Sequence, residues 1–160
     1  MSTTVVDPEV SILRNMVKES ALTVFSTMVG CNLEPGEASR KPAFQQLNDV
    51  RSSISLSGGF KAIFVISLDR EVAFAAAQAF LGEKPNDINA DVIDLVGELA
   101  NMIGGRTKEK LNMPDCKLGL PCTGVPAENV GQSHQIECIE HLPFSTPWGN
   151  LTIEVGTAVA

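Results

Sequence analysis

Positive charge is scarce in this sequence. Twelve lysines and arginines stand against nineteen aspartates and glutamates, a formal net charge of −7. Nucleic acids and anionic lipids are bound through concentrations of Lys and Arg, so this balance speaks against both as ligands. Long hydrophobic runs are missing too. The stretch from Ala62 to Ile66 is typical of the longest, far short of the ~20 residues that cross a bilayer. The opening Met1-Ser2-Thr3-Thr4-Val5-Val6-Asp7 has neither a charged nor an apolar leader region, so the expected location is the cytoplasm. The four cysteines (Cys31, Cys116, Cys122 and Cys138) form no C-x-x-C pair. They are expected to be reduced thiols with ordinary packing roles. Low-complexity tracts and linkers are absent, and the single tryptophan, Trp148, is expected as a core anchor.

What is present fits one globular domain spanning residues 1–160: enough length for a real core, and an apolar content of 44% to fill it. Asp7-Pro8-Glu9 starts a helix, with Asp as cap and Pro at the first helical position. Ile12, Leu13, Met16, Val17, Ala21, Val24, Phe25 and Met28 recur at helical spacing up to a stop at Gly30. Residues 31–48, with Pro35, Gly36 and Pro42, read as loop with one short strand. Ile54 and Leu56 then alternate with serines, Gly58-Gly59 supplies a turn, and Phe60 to Leu68 reads as a buried strand. Asp69 heads a second helix from Arg70 to Phe80, and a third runs from about Asn89 to about Leu111. Strands follow at Lys117–Val125, His134–His141 and Asn150–Val155, the last two separated by Pro143, Pro147 and Gly149. The expected fold is α+β, with helices packed on a mainly antiparallel sheet. The order of elements suggests two similar halves.

The third helix carries the functional reading. With Asp94 set at zero on a helical wheel, Val92, Leu95, Val96, Leu99, Met102 and Ile103 cluster between about 80° and 200°, which is the core face. Asp94, Glu98, Asn101, Gly105 and Lys108 fall within about 40° of zero and form a stripe away from the core. Gly97, Ala100 and Gly104 make a small-residue seam between the faces, along which another backbone can approach. A glycine inside a helix costs about 1 kcal/mol relative to alanine, so Gly97, Gly104 and Gly105 together ask for a packing or access reason. By pattern alone the stripe reads first as a solvated helix face. The glycines argue for more, and Gly105, one turn beyond Asn101, leaves room for a partner.

The run Asp94-Leu-Val-Gly-Glu98-Leu-Ala-Asn101-Met102-Ile103-Gly104-Gly105 resembles the signature of the CheC/CheX/FliY chemotaxis phosphatases, which is Asp or Ser, three residues, Glu, two residues, Asn. Glu98 to Gly104 is most similar to CheX. Supporting segments follow in matching order: Ser57-Gly58-Gly59-Phe60, Phe80-Leu81-Gly82, Leu120-Pro121 and Pro147-Trp148-Gly149-Asn150-Leu151. The likeness covers roughly residues 50–157. It departs from the family pattern in its prolines, here Pro121 and Pro126. It departs from CheC in lacking a second Glu/Asn pair on the first helix, where Glu19 is followed three residues later by Leu22.

The resemblance implies hydrolysis of the aspartyl phosphate of a CheY-like response regulator. The regulator would supply Mg²⁺ and a lysine, and no cofactor is expected on this chain. What is left to provide is a water placed in line with the leaving oxygen. A carboxamide both donates to and accepts from water without ionising, which makes Asn101 the expected water-orienting residue. Glu98 is expected to pair with the regulator's lysine, and Asp94 and Gly105 to contact the partner. A homodimer is also implied. The alternative is a non-catalytic module of the same fold that binds receivers or assembles with itself. His134, Cys138 and His141 lie close in sequence, but on a strand 134 and 138 share a face while 141 points away, and no metal site is expected there. Gly58-Gly59 and Gly104-Gly105 do not have phosphate-loop form.

Overall fold

A computed structural model describes residues 8–42, 44–45, 48–58, 61–112, 115–124 and 136–158. The expected cap Asp7, and Gly59, Phe60, Val125, Pro126 and His134, lie outside these residues, as does the side chain of Cys138. The helices form where periodicity and end signals place them: α1 at Pro8–Val24, α2 at Arg70–Leu81 and α3 at Ala90–Leu111. A π-helical turn, Phe25–Val29, continues α1 to Gly30, whose φ of 74° is the left-handed geometry that ends helices. Asn89 caps α3 by accepting from Val92 N–H at 3.0 Å. Asp69 stands at the head of α2 without capping it. Arg70 N–H donates instead to Asp49 Oδ2 at 2.7 Å, while Asp69 Oδ2 accepts from Asn150 N–H at 2.7 Å.

The strands are β1 Glu34–Pro35, β2 Ser39–Lys41, β3 Val50–Ser57, β4 Ala62–Leu68, β5 Lys117–Leu118, β6 Cys122–Gly124, β7 Ile136–Thr146 and β8 Gly149–Ala158. They form one antiparallel sheet in the order β1-β7-β8-β4-β3-β5, with β2 also on β7 and β6 also on β3. The sequence helix, two short strands, two long strands therefore occurs twice, as α1-β1-β2-β3-β4 and α3-β5-β6-β7-β8, with α2 between. Each half lends its short strands to the other. β1 and β2 pair with β7, β5 and β6 pair with β3, and β4 meets β8 at the centre. Interchanging the halves reproduces the sheet order, so the expected repeat is present in the topology.

The helices lie against one face of this sheet. Ile54, Phe64, Ile66, Leu151, Ile153 and Val155 pack there with Leu13, Val17, Val92, Val96, Leu99 and Ile103. β4 is buried along its whole length, and its Ile63 and Val65 face the other side under Phe44. That explains its unbroken apolar run. The helices α1 and α3 are neighbours, tied by Thr107 Oγ1 to Ser20 Oγ at 3.2 Å and by Lys110 to Glu19 at 3.4 Å.

Several expectations are corrected. Two short strands, not one, lie in residues 31–48. The strand expected at Lys117–Val125 is broken at Gly119-Leu120-Pro121. Pro143 lies inside β7 rather than after it. Its carbonyl accepts from Gly36 N–H at 2.8 Å, so its missing N–H faces the gap where the chain leaves the ladder between β1 and β2. The final hairpin turns at Pro147-Trp148, and Trp148 is 42% exposed instead of anchoring the core. Ile12 and Met28, which share the helical spacing of the first helix's apolar residues, are half exposed, and Cys122 is exposed where a packing role was expected.

Candidate functional site

Helix α3 buries Val92, Leu95, Val96, Leu99 and Ile103 and leaves Asp94 and Glu98 exposed, with Asn101, Gly105 and Lys108 partly buried at the edge of the same face. The stripe drawn on the wheel is thus the outward face. Among the described residues, the side chains of Asp94, Glu98 and Asn101 have no hydrogen-bond or ion-pair partner. Asp94 and Glu98 stand one turn apart with like charge, an arrangement that costs a helix a few tenths of a kcal/mol, about 0.2–0.5. Among the described residues no cation pairs with either. Glu98 and Asn101, three residues apart, project from the same surface with Cβ atoms roughly 5–6 Å from each other.

The seam beside the stripe holds the segment that follows α3. A Cβ on Gly97 would stand 2.8 Å from Thr123 Oγ1 and 3.7 Å from Pro121, and one on Gly104 would stand 2.9 Å from Leu118 Cδ1. A side chain at Gly97 would crowd Thr123, and one at Gly104 would make Leu118 shift, so both glycines serve close packing. Gly105 differs, since nothing lies within 4 Å of its added Cβ. Packing does not explain it, and the space it leaves is open to a visitor. The sequence pointed to a close approach at the seam without showing which segment makes it.

This surface is a helix face and not a cavity. A cleft of about 600 Å³ does exist, between β1, β7 and the start of α2, lined in part by Asn48, Asp69, Asn150 and Thr152. Its polar groups satisfy one another. Asn48 Nδ2 donates to Asp69 Oδ1 at 2.6 Å, and Thr152 Oγ1 donates to Asn48 Oδ1 at 3.1 Å. Such closure marks a structural network more than a reactive one. His141 is likewise engaged, its Nδ1 lying 3.2 Å from Glu154 Oε2 beneath the far face of the sheet. Chemistry on the α3 stripe suits a macromolecular partner that brings its own pocket, because an exposed helix face does not enclose a small ligand.

The family model for the chemotaxis phosphatase CheX matches residues 50–139. Among solved structures, the chain is similar to the chemotaxis protein CheX from Vibrio vulnificus, at 30% identity over 91% of this chain and 98% of that one, with a TM-score of 0.77. A CheC-like superfamily protein from a Shewanella species is 28% identical over 92% and 98%, with a TM-score of 0.80. The CheX–CheY–BeF₃–Mg²⁺ complex from Borrelia burgdorferi shares the fold at 20% identity over 92% and 98%, with a TM-score of 0.73. A comparison with curated proteins finds no match.

Proposed function

The chain belongs to the CheX family of chemotaxis phosphatases, and from that premise we propose that it hydrolyses the aspartyl phosphate of a CheY-like receiver domain in the cytoplasm. The observation that carries this reading is the unpartnered carboxamide of Asn101, facing outward on α3 beside the equally unpartnered Glu98.

An aspartyl phosphate is already an activated acyl phosphate, and the receiver brings the Mg²⁺ that neutralises its oxygens. The missing component is a water held in line with the bond to be broken. Asn101 supplies it. Its carboxamide oxygen accepts from the water while its NH₂ group is free for the phosphoryl oxygens, with no ionisation to set. Glu98 pairs with the receiver's lysine and fixes the angle at which α3 enters. Asp94 extends the acidic edge, and the open space at Gly105 admits the partner's backbone. The Borrelia complex, which joins a relative of this fold to CheY with BeF₃ and Mg²⁺, supports a receiver as the partner. Two copies of the chain are proposed to work as a homodimer, which light scattering tests directly.

The test is phosphate release from phosphorylated receivers of the same genome, with and without this protein. Acceleration that disappears in Asn101→Ala supports the proposal. Tight binding of the phosphorylated receiver with no acceleration would replace it by the non-catalytic module.

A further inference from the structure

Helix α3 is flanked on its seam side by one apolar side chain that the chain itself leaves uncovered. Leu120 is 92% exposed, the most exposed large hydrophobic residue among those described. A lone exposed leucine is ordinary and carries no meaning by itself. Its placement is what matters.

Leu118 meets Gly104 and Pro121 meets Gly97. Seven helical residues separate the two glycines, about 10 Å along the axis. Three residues of extended chain cover roughly the same distance. Gly119-Leu120 therefore passes α3 at the level of Asn101, which lies between Gly97 and Gly104. The segment is also fixed. Gly119 N–H donates to Ser55 O at 2.8 Å, and a Cβ there would collide with Ser55 Oγ, so Gly119 is pressed inward against β3. Pro121 lies beside Gly97 on the other side, its φ fixed by its own ring. Between two residues held inward, Leu120 is held outward, on a support that loses little entropy when it is covered.

We propose that Leu120 is the apolar docking contact for the receiver domain, seated on the rim of the partner's phosphorylation site while Asn101 enters it. This rests on the reading of α3 as a receiver-docking surface. The receiver is a doubly wound α/β domain, whose reactive site lies outside the carboxyl ends of its strands and is ringed by βα loops. A helix face that reaches into such a crevice brings whatever flanks it against those loops. Glu98 lies on the far side of the stripe from the seam and Asp94 at its centre, so the contact is acidic on one flank and apolar on the other. The charge selects a basic group on the partner, and the leucine supplies a desolvated anchor.

The experiment measures binding of beryllofluoride- and Mg²⁺-charged receiver to wild type, Leu120→Ser, Leu120→Met and Leu81→Ser, together with phosphate release at increasing receiver concentration. Leu81 is an exposed leucine on a different helix, at the end of α2, and controls for general loss of hydrophobic surface. Leu120→Ser is expected to weaken binding about tenfold, the change produced by losing one anchoring contact. Leu120→Met and Leu81→Ser are expected to stay near wild type. The receiver concentration at half-maximal rate should rise for Leu120→Ser, with the maximal rate preserved. Equal affinity for Leu120→Ser and wild type overturns the inference, as does a lower maximal rate with unchanged affinity. If wild type binds the charged receiver without hydrolysing its phosphate, the phosphatase reading fails while the binding comparison still decides Leu120. Absence of binding by wild type overturns both.

Discussion

Gly97 lies directly against Thr123, so that a Cβ on the glycine would stand 2.8 Å from the threonine Oγ1. That hydroxyl is itself held 2.8 Å from Ser52 Oγ, which resists its moving aside. Gly97→Val is therefore expected to destabilise the fold by about 2 kcal/mol through overpacking. Gly105→Ala has open space and is expected to gain up to about 1 kcal/mol from helix propensity. Urea unfolding of the two variants checks the contrast, and equal effects would contradict the close approach.

Asn101→Ala removes the group proposed to orient water and breaks no hydrogen bond or ion pair among the described residues. Phosphate release should fall by about 10² or more, near 3 kcal/mol of transition-state stabilisation. The melting temperature should not change. A variant with wild-type turnover would remove Asn101 from the mechanism.

Glu98→Gln keeps the shape of the side chain and removes its charge. The concentration of receiver needed for half-maximal rate is expected to rise, and its dependence on salt to weaken, because a partly exposed ion pair is screened by added ions. Titrating both proteins at low and high salt reads this directly. Identical salt slopes would mean that Glu98 meets no cation.

Burial pushes the thiols of Cys31 and Cys116 above their ordinary value of 9.0; near Cys116, Lys108 and the Lys117 backbone act in the opposite direction. A thiol raised in the folded state keeps its proton where the unfolded chain has lost it. Its contribution to stability is thus complete below about pH 9 and is lost as pH rises through the folded values. Denaturation midpoints should decline across that range. At neutral pH a thiol reagent should modify the exposed Cys122 in the native protein and reach Cys31 and Cys116 only on unfolding, which mass spectrometry resolves.

The repeat places one candidate site, not two, on the helices of the described residues. By topology α1 is the counterpart of α3, yet in its equivalent stretch the acid Glu19 is followed three residues later by Leu22, where α3 has the amide Asn101. Glu19 instead pairs with Lys110, tying the counterpart helix to the working one. The second half of the molecule carries the candidate chemistry and the first half supports it.

Local chemistry was enough to determine α2 and α3, their ends and the outward stripe. Periodicity, Asn89 and Gly82 act within a few residues of where they stand, and a helix turns each side chain by a fixed angle. What lay across the chain could not be read that way. That β2 and β6 are exchanged between halves, that Pro143 fits inside a strand because β1 and β2 leave a gap beside it, and that Trp148 occupies an exposed turn all depend on which segments meet. Leu120 belongs with these. Its sequence neighbours say nothing of Asn101, and only the packing of Pro121 on Gly97 and of Leu118 on Gly104 brings it to that helix. A single turn of helix is set by contacts four residues apart, whereas a docking surface is set by contacts between segments that the sequence keeps separate.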